Sequence, residues 1–250
     1  MIQHSFLLLE RVGREKEKGI WKQGVFTWDD FLKAARIKGI SARAKKYYDR
    51  KIVEARKELF SLNSSYFAEK LPKTEQWRLY DFFKEDAVYL DIETDGVNET
   101  DDVTVVGLFD GIDTRTMVRG VNLDFRKLKE ELARYKIVVT FNGSVFDVPF
   151  IKKRYGAILP RIPHFDLRFC CKRIGLNGGL KGIEKQLGIR RNNELVEKMY
   201  GGDAALLHRM WRGSGDEHYL QLLVEYNEED VINLKRIAER TYRTLKQHTQ

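Results

Sequence analysis

The run Val103-Thr-Val-Val-Gly-Leu-Phe109 is apolar almost without interruption. Half-exposed strands alternate apolar and polar residues, so this pattern is typical of a β-strand covered on both faces. Residues 137–141, Ile-Val-Val-Thr-Phe, repeat it. A sheet buried on both sides needs helices on both sides. Residues 123–134, the stretch opening near Pro149, and residues 180–187, 194–200 and 216–246 read as those helices, the last one long. Residues 87–93, 114–119 and 162–167 add three strands, the second of them at a sheet edge. The expected fold class is α/β over residues 86–250, a mixed sheet with helices on both faces.

Within residues 87–93, Val88, Leu90 and Ile92 point to one face and Tyr89, Asp91 and Glu93 to the other. Two adjacent carboxylates repel each other, and burying them is costly unless a cation or a proton lies between them. A divalent metal answers that constraint; a solvated edge strand is the other reading. Further along, a strand ends in Asn142-Gly143, and Asp147 stands where the next helix begins. Ligands of a doubly covered sheet gather beyond the carboxyl ends of its central strands. Asp147 would lie there, beside Asp91, if the two strands are neighbours; a helix N-cap is the competing role. On the final helix, Tyr226 and Asp230 are four residues apart and share a face. Glu228 and Glu229 point elsewhere and read as a solvated acidic face. Four carboxylates and one phenol can thus converge on a point. Hard oxygen ligands suit Mg²⁺ or Mn²⁺. Two such ions can stabilise both the attacking and the leaving oxygen of phosphodiester hydrolysis.

Residues 1–85 are different in kind and read as a basic helical N-terminal region. They hold 19 Lys and Arg against 12 Asp and Glu, so nearly all of the chain's net charge of +8 lies there. That skew fits an element meeting a polyanion, nucleic acid first among them. Thr27, with Asp30 three residues on, forms an acidic approximation to a capping box. Ala44, Tyr48, Ile52, Ala55 and Leu59 make one apolar helical stripe. Pro72 breaks the pattern, and residues 75–83 suggest a short helix whose aromatics pack on the following domain. Cys170 and Cys171 are adjacent, which disfavours a structural disulfide, and both read as small buried hydrophobes. No apolar run approaches a bilayer's width, and Phe6-Leu-Leu-Leu9 is too short for a signal-peptide core. An intracellular, cytoplasmic protein without a membrane partner is expected.

Leu-Asp-Ile-Glu-Thr at 90–94, Phe141-Asn-Gly to Phe146-Asp147, and Tyr226 to Asp230 occur in the order of three exonuclease motifs. With them the chain resembles the ribonuclease-H-like 3′→5′ exonucleases of the DEDD superfamily, tyrosine subtype, and within it the YprB-type branch. His164-Phe-Asp-Leu167 and Leu180-Lys-Gly-Ile-Glu-Lys-Gln-Leu-Gly188 are similar to that branch as well. The resemblance implies that Asp91, Glu93 and Asp230 hold one metal, that Asp91 bridges to a second, and that Asp147 binds the second directly or through water. It implies that Tyr226 positions the attacking water. Residues 11–28 resemble, faintly, the helix-hairpin-helix-like start of some relatives. The expectation is a metal-dependent 3′→5′ exonuclease acting on single-stranded DNA or RNA with two Mg²⁺ or Mn²⁺ ions. The rivals are an endonuclease on the same fold and a non-catalytic nucleic-acid-binding component of a repair complex.

Overall fold

A computed structural model describes residues 1–96, 101–199 and 201–249. The N-terminal region contains α1 (Arg14–Trp21), α2 (Trp28–Lys33), α3 (Ala42–Phe60) and α4 (Ser64–Lys70). The expected helix around Trp77 is a 3₁₀ helix, Lys73–Leu79, running into the single turn of α5 (Tyr80–Phe83). Thr27 and Asp30 form the reciprocal capping box, each side chain taking the other's backbone N–H. On α3 the buried stripe is Lys45, Tyr48, Ile52, Ala55 and Leu59, with Ala44 only half-buried. Lys45 enters the stripe because Asp49 neutralises it at 2.7 Å and the Phe31 ring lies 4.9 Å from its Nζ.

The sheet follows, with strands β1 (Ala87–Thr94), β2 (Val103–Phe109), β3 (Thr114–Val118), β4 (Ile137–Thr140) and β5 (His164–Asp166). Their order is β3-β2-β1-β4-β5. β1 pairs antiparallel with β2 and parallel with β4, and β2 and β4 extend the sheet antiparallel to β3 and parallel to β5. The sheet is therefore mixed, and β3 is at an edge. Between and after the strands lie α6 (Phe125–Leu132), α7 (Asp147–Tyr155), α8 (Leu167–Arg173), α9 (Leu180–Gln186), α10 (Glu194–Lys198), α11 (Gly201–Ser214) and α12 (Glu217–Thr249). The segment of α11 carries no clear helical signal, since it opens on Gly201-Gly202 and has Gly213 near its end.

Val88, Leu90 and Ile92 pack with Leu128 and Leu132 of α6 and Ile151 of α7 on one face. Tyr89 faces the other way, into a cluster with Val231, Leu234 and Ile237 of α12. Helices thus cover both faces. The second cluster does not stop at the sheet. It continues through Trp77 and Tyr80 to Ile52, Phe31, Phe6 and Ile2, so the N-terminal helices and one sheet face share a core. Tyr80 ties the layers together: its ring packs on Phe165 and Tyr242, and its hydroxyl pairs with that of Tyr89 at 2.7 Å. Beneath, Arg78 is 2% exposed and bonds Glu17 and Glu75, while Arg14 and Arg173 also reach Glu75. These pairs join α1, the 3₁₀ segment and α8. Cys170 and Cys171 are free and buried, with Cys171 Sγ 3.3 Å from Thr241 Oγ1. No helix among the described residues is long and apolar enough to cross a membrane.

A shared core has a measurable consequence. The full chain is expected to unfold in one cooperative transition. A fragment beginning at residue 86 would expose the apolar residues that the N-terminal helices cover, and is expected to aggregate or to lose its cooperative melt in calorimetry.

Candidate metal centre

β1 runs past the end of β4. Their ladder closes at Tyr89 and Val139, and β4 ends at Thr140. Further along β1, the N–H of Ile92 is taken by Asp147 Oδ1 at 3.2 Å. Asp147 is therefore not a helix cap: α7 starts at Asp147 itself, the preceding Phe146 makes no capping bond, and the carboxylate turns back to the sheet. The turn before it is tightly held. Asn142 adopts a left-handed conformation (φ 67°), and Gly143 N–H donates to Thr140 Oγ1 at 3.0 Å. A Cβ on Gly143 would lie 2.4 Å from that oxygen. Asp166 accepts from the N–H groups of Asn142 (2.9 Å) and Ser144 (3.0 Å), from Ser144 Oγ, and from the Arg168 N–H that opens α8.

Opposite stands α12, whose buried face carries Tyr226, Asn227 and Asp230. It approaches the sheet closely because Gly107, the β2 partner of Asp91, has no side chain. A Cβ there would be 2.0 Å from Asn227 Oδ1. Asn227 Nδ2 in turn donates to Asp91 Oδ2 at 3.1 Å. The result brings oxygens of Asp91, Glu93 and Asp230 to within 4.8 Å of one another. Asp91 and Glu93 are half-buried, while Asp147, Tyr226 and Asp230 are buried. Asp147 stands outside the tight trio, yet its charge acts on both Asp91 and Glu93. Glu229 departs from the solvated face expected of it: it is buried and accepts from the Asn192 N–H at 2.7 Å.

The electrostatics follow from this crowding. Burial, then the charge of Asp230, pushes both Asp91 and Glu93 well above the usual carboxylate range. Burial also lifts Asp147 to about 7 and Asp230 to about 6, the latter against the pull of Arg191. Burial and the same carboxylates push the Tyr226 phenol far up, so it keeps its proton. The donor set is all hard oxygen, mutually repelling and short of positive charge, which is what a divalent ion of the Mg²⁺ or Mn²⁺ kind requires.

Arg191 was not evident from sequence. Its guanidinium bonds Glu184 with two nitrogens, at 2.9 and 3.0 Å, and also bonds Asp230 Oδ1. Asn233 completes the group by donating to Glu184 at 3.0 Å. Arg191 Nη1 is buried without a hydrogen-bond partner. Lys181 Nζ and the Arg191 guanidinium lie 5.2 and 5.5 Å from the centre of the Tyr226 ring. Lys181 is itself fixed by the carbonyls of Val196, Glu197 and Met199 around the end of α10. The only sequence signal was Glu184 within the 180–188 motif; its arginine partner lies seven residues on, past the helix end.

Two outcomes are expected of the metal-stripped protein. Carboxyls of an unfolded chain titrate near about 4, whereas those of Asp147 and Asp230 are raised when folded. The folded state therefore holds extra protons between these values, and stability falls as pH rises from about 4 to 7. In EDTA, Tm is expected to drop across that window, and saturating Mn²⁺ to remove much of the drop. Arg191→Met leaves Glu184 and Asp230 buried without their cation. It is expected to cost about 3–5 kcal/mol in urea unfolding, with part recovered in Glu184→Gln/Arg191→Met.

The profile described as RNase_H superfamily matches residues 88–242. The chain is 33% identical over 108 residues to the uncharacterized protein YprB of Bacillus subtilis (strain 168), an alignment covering 39% of this chain and 25% of that one. The chain thus spans about a quarter of the length of that relative. Among solved structures, the family B DNA polymerase from the hyperthermophilic archaeon Pyrobaculum calidifontis aligns with a TM-score of 0.49 and 15% identity, over 62% of this chain and 24% of that one. With more than half of its length matched by that profile, and with the mixed sheet the profile implies, the chain belongs to the RNase H superfamily.

Proposed function

We propose that the protein is a metal-dependent nuclease that removes nucleotides from the 3′ end of single-stranded DNA or RNA. The observation that carries this reading is the trio of Asp91, Glu93 and Asp230, with oxygens within 4.8 Å of one another and drawn from β1 and α12. A structural ion pair would alternate signs; this trio gathers one sign. Asp91, Glu93, Asp147 and Asp230 would hold the ions, two in number by resemblance to the DEDD exonucleases. When bound, Mg²⁺ or Mn²⁺ supplies Lewis-acid activation of water and neutralises charge at the scissile phosphate.

The chain's own groups have separate tasks. Tyr226 sits one helical turn before Asp230, remains a phenol, and can hold a water by donating or accepting one hydrogen bond. Lys181 and Arg191 both lie close to its ring. Arg191 aligns the Asp230 carboxylate and Asn227 aligns that of Asp91, as outer partners commonly do for metal ligands. Asp166 holds the turn that aims Asp147. The tyrosine at this spacing supports the exonuclease over the endonuclease reading.

The test uses 5′-labelled single-stranded DNA and its RNA counterpart with Mg²⁺, Mn²⁺ or EDTA. A one-nucleotide ladder is expected, abolished by EDTA and reduced by Asp91→Asn by about a hundredfold or more, the scale of several kcal/mol of transition-state stabilisation. Equal rates for Asp91→Asn and wild type would refute the assignment. A few large discrete products would make the enzyme an endonuclease.

A further inference from the structure

The outer row of α3 differs from the rest of that helix in how its charges are paired. Arg43, Lys46, Arg50, Val53, Lys57 and Phe60 follow one another at spacings of three and four, so they form a single row. All six are exposed, Phe60 at 66% and Val53 at 54%. No carboxylate interrupts the row. The remaining cations of the helix are neutralised: Lys45 by Asp49, Lys51 by Glu54 and Arg56 by Asp29. Glu58, the last acid on α3, accepts from Asn63. Among the described residues, no ion pair or ring contact engages Arg43, Lys46, Arg50 or Lys57. The acids of the helix have thus been drawn to its flanks, and the row is left with one sign.

A solvated surface normally mixes both signs, and a one-sign row concentrates potential that attracts a polyanion. At 1.5 Å per residue, Arg43 and Lys57 are about 21 Å apart along the helix, room for several phosphates of one strand. We propose that this row of α3 is a docking track for a nucleic-acid backbone, with the Phe60 ring offering a stacking face to a base at its end. The choice of nucleic acid among polyanions rests on the nuclease reading. The track shares no residue and no element with the carboxylate site, since none of its residues belongs to β1, α7 or α12. It therefore governs how long substrates are held and leaves the hydrolytic step alone.

The experiment measures anisotropy of a fluorescein-labelled single-stranded oligonucleotide, in EDTA to prevent cleavage, across a salt titration. Wild type is compared with the quadruple variant Arg43→Gln/Lys46→Gln/Arg50→Gln/Lys57→Gln and with the charge-conserving Arg43→Lys/Arg50→Lys. The quadruple variant is expected to bind more weakly, with a slope of log affinity against log salt shallower by about 3, at roughly 0.7 per lost contact. The charge-conserving variant is expected to match wild type, and thermal melts to be unchanged in both. In Mn²⁺, the quadruple variant is expected to raise KM for long strands while leaving kcat and the hydrolysis of very short strands unaltered. Unchanged affinity and slope overturn the track, as does row-dependent binding to phosphatidylserine vesicles that exceeds binding to the oligonucleotide. Row-dependent oligonucleotide binding without any metal-dependent cleavage keeps the track and removes the nuclease reading. Cleavage with row-independent binding does the reverse.

Discussion

Repulsion among Asp91, Glu93 and Asp230 is the constraint around which the rest of this molecule is arranged. Three carboxylates within 4.8 Å of one another would separate if they were free to do so. They cannot, because two sit on a strand flanked by neighbours and the third on a helix of 33 residues packed along the sheet. Packing energy from Val231, Leu234, Ile237 and the residues around them holds the charges together. Gly107 lets the helix approach, Asn227 donates to one carboxylate, and Arg191 offsets another. Each local irregularity in this part of the fold is explained by that need: a glycine inside a fully buried strand, an asparagine on an apolar helix face, and an arginine 7% exposed with one nitrogen unpartnered.

Much of this could be read from the residues. The two-sided apolar runs foretold helices on both faces, and the period of the strand placed Asp91 and Glu93 together. The spacing of Tyr226 and Asp230 placed them on one helix face. What remained hidden has physical causes. From sequence Asp147 belongs beside Asp91 at the strand ends, with a helix N-cap as the competing role, and the residues alone do not decide between the two. Only the early end of β4 reveals a vacant backbone N–H for it to take. Arg191 and Glu229 look like surface charges, because a sequence shows charge but not which loop folds over it. Helix α11 was hidden by its glycines. The 3₁₀ character of residues 73–79 was invisible because a period of three and one of 3.6 cannot be separated over seven residues.

The N-terminal region is bound to the RNase H-like region through side chains that would otherwise be liabilities. Arg78, Glu17 and Glu75 are all nearly inaccessible, and a buried charge is tolerable only with complete partners. Glu75 receives Arg14, Arg78 and Arg173, so three segments far apart in sequence meet at one carboxylate. Such a junction adds little net stability, but removing any one partner leaves a buried charge uncompensated. The aromatic contacts of Tyr80 and Trp77 with Tyr242 supply the adhesion, and the ion group supplies the alignment.

The wide separation of Asp91 and Asp230 along the chain has one more consequence. The strand that carries Asp91 and Glu93 is made early, whereas Asp230 arrives on the last helix of the described fold, 139 residues later. Domains form as units during synthesis, and closing so distant a contact comes late in folding. A nascent chain therefore lacks the third carboxylate of this cluster until α12 emerges and docks against Gly107. The topology delays the assembly of the carboxylate cluster until the sheet that supports it is in place.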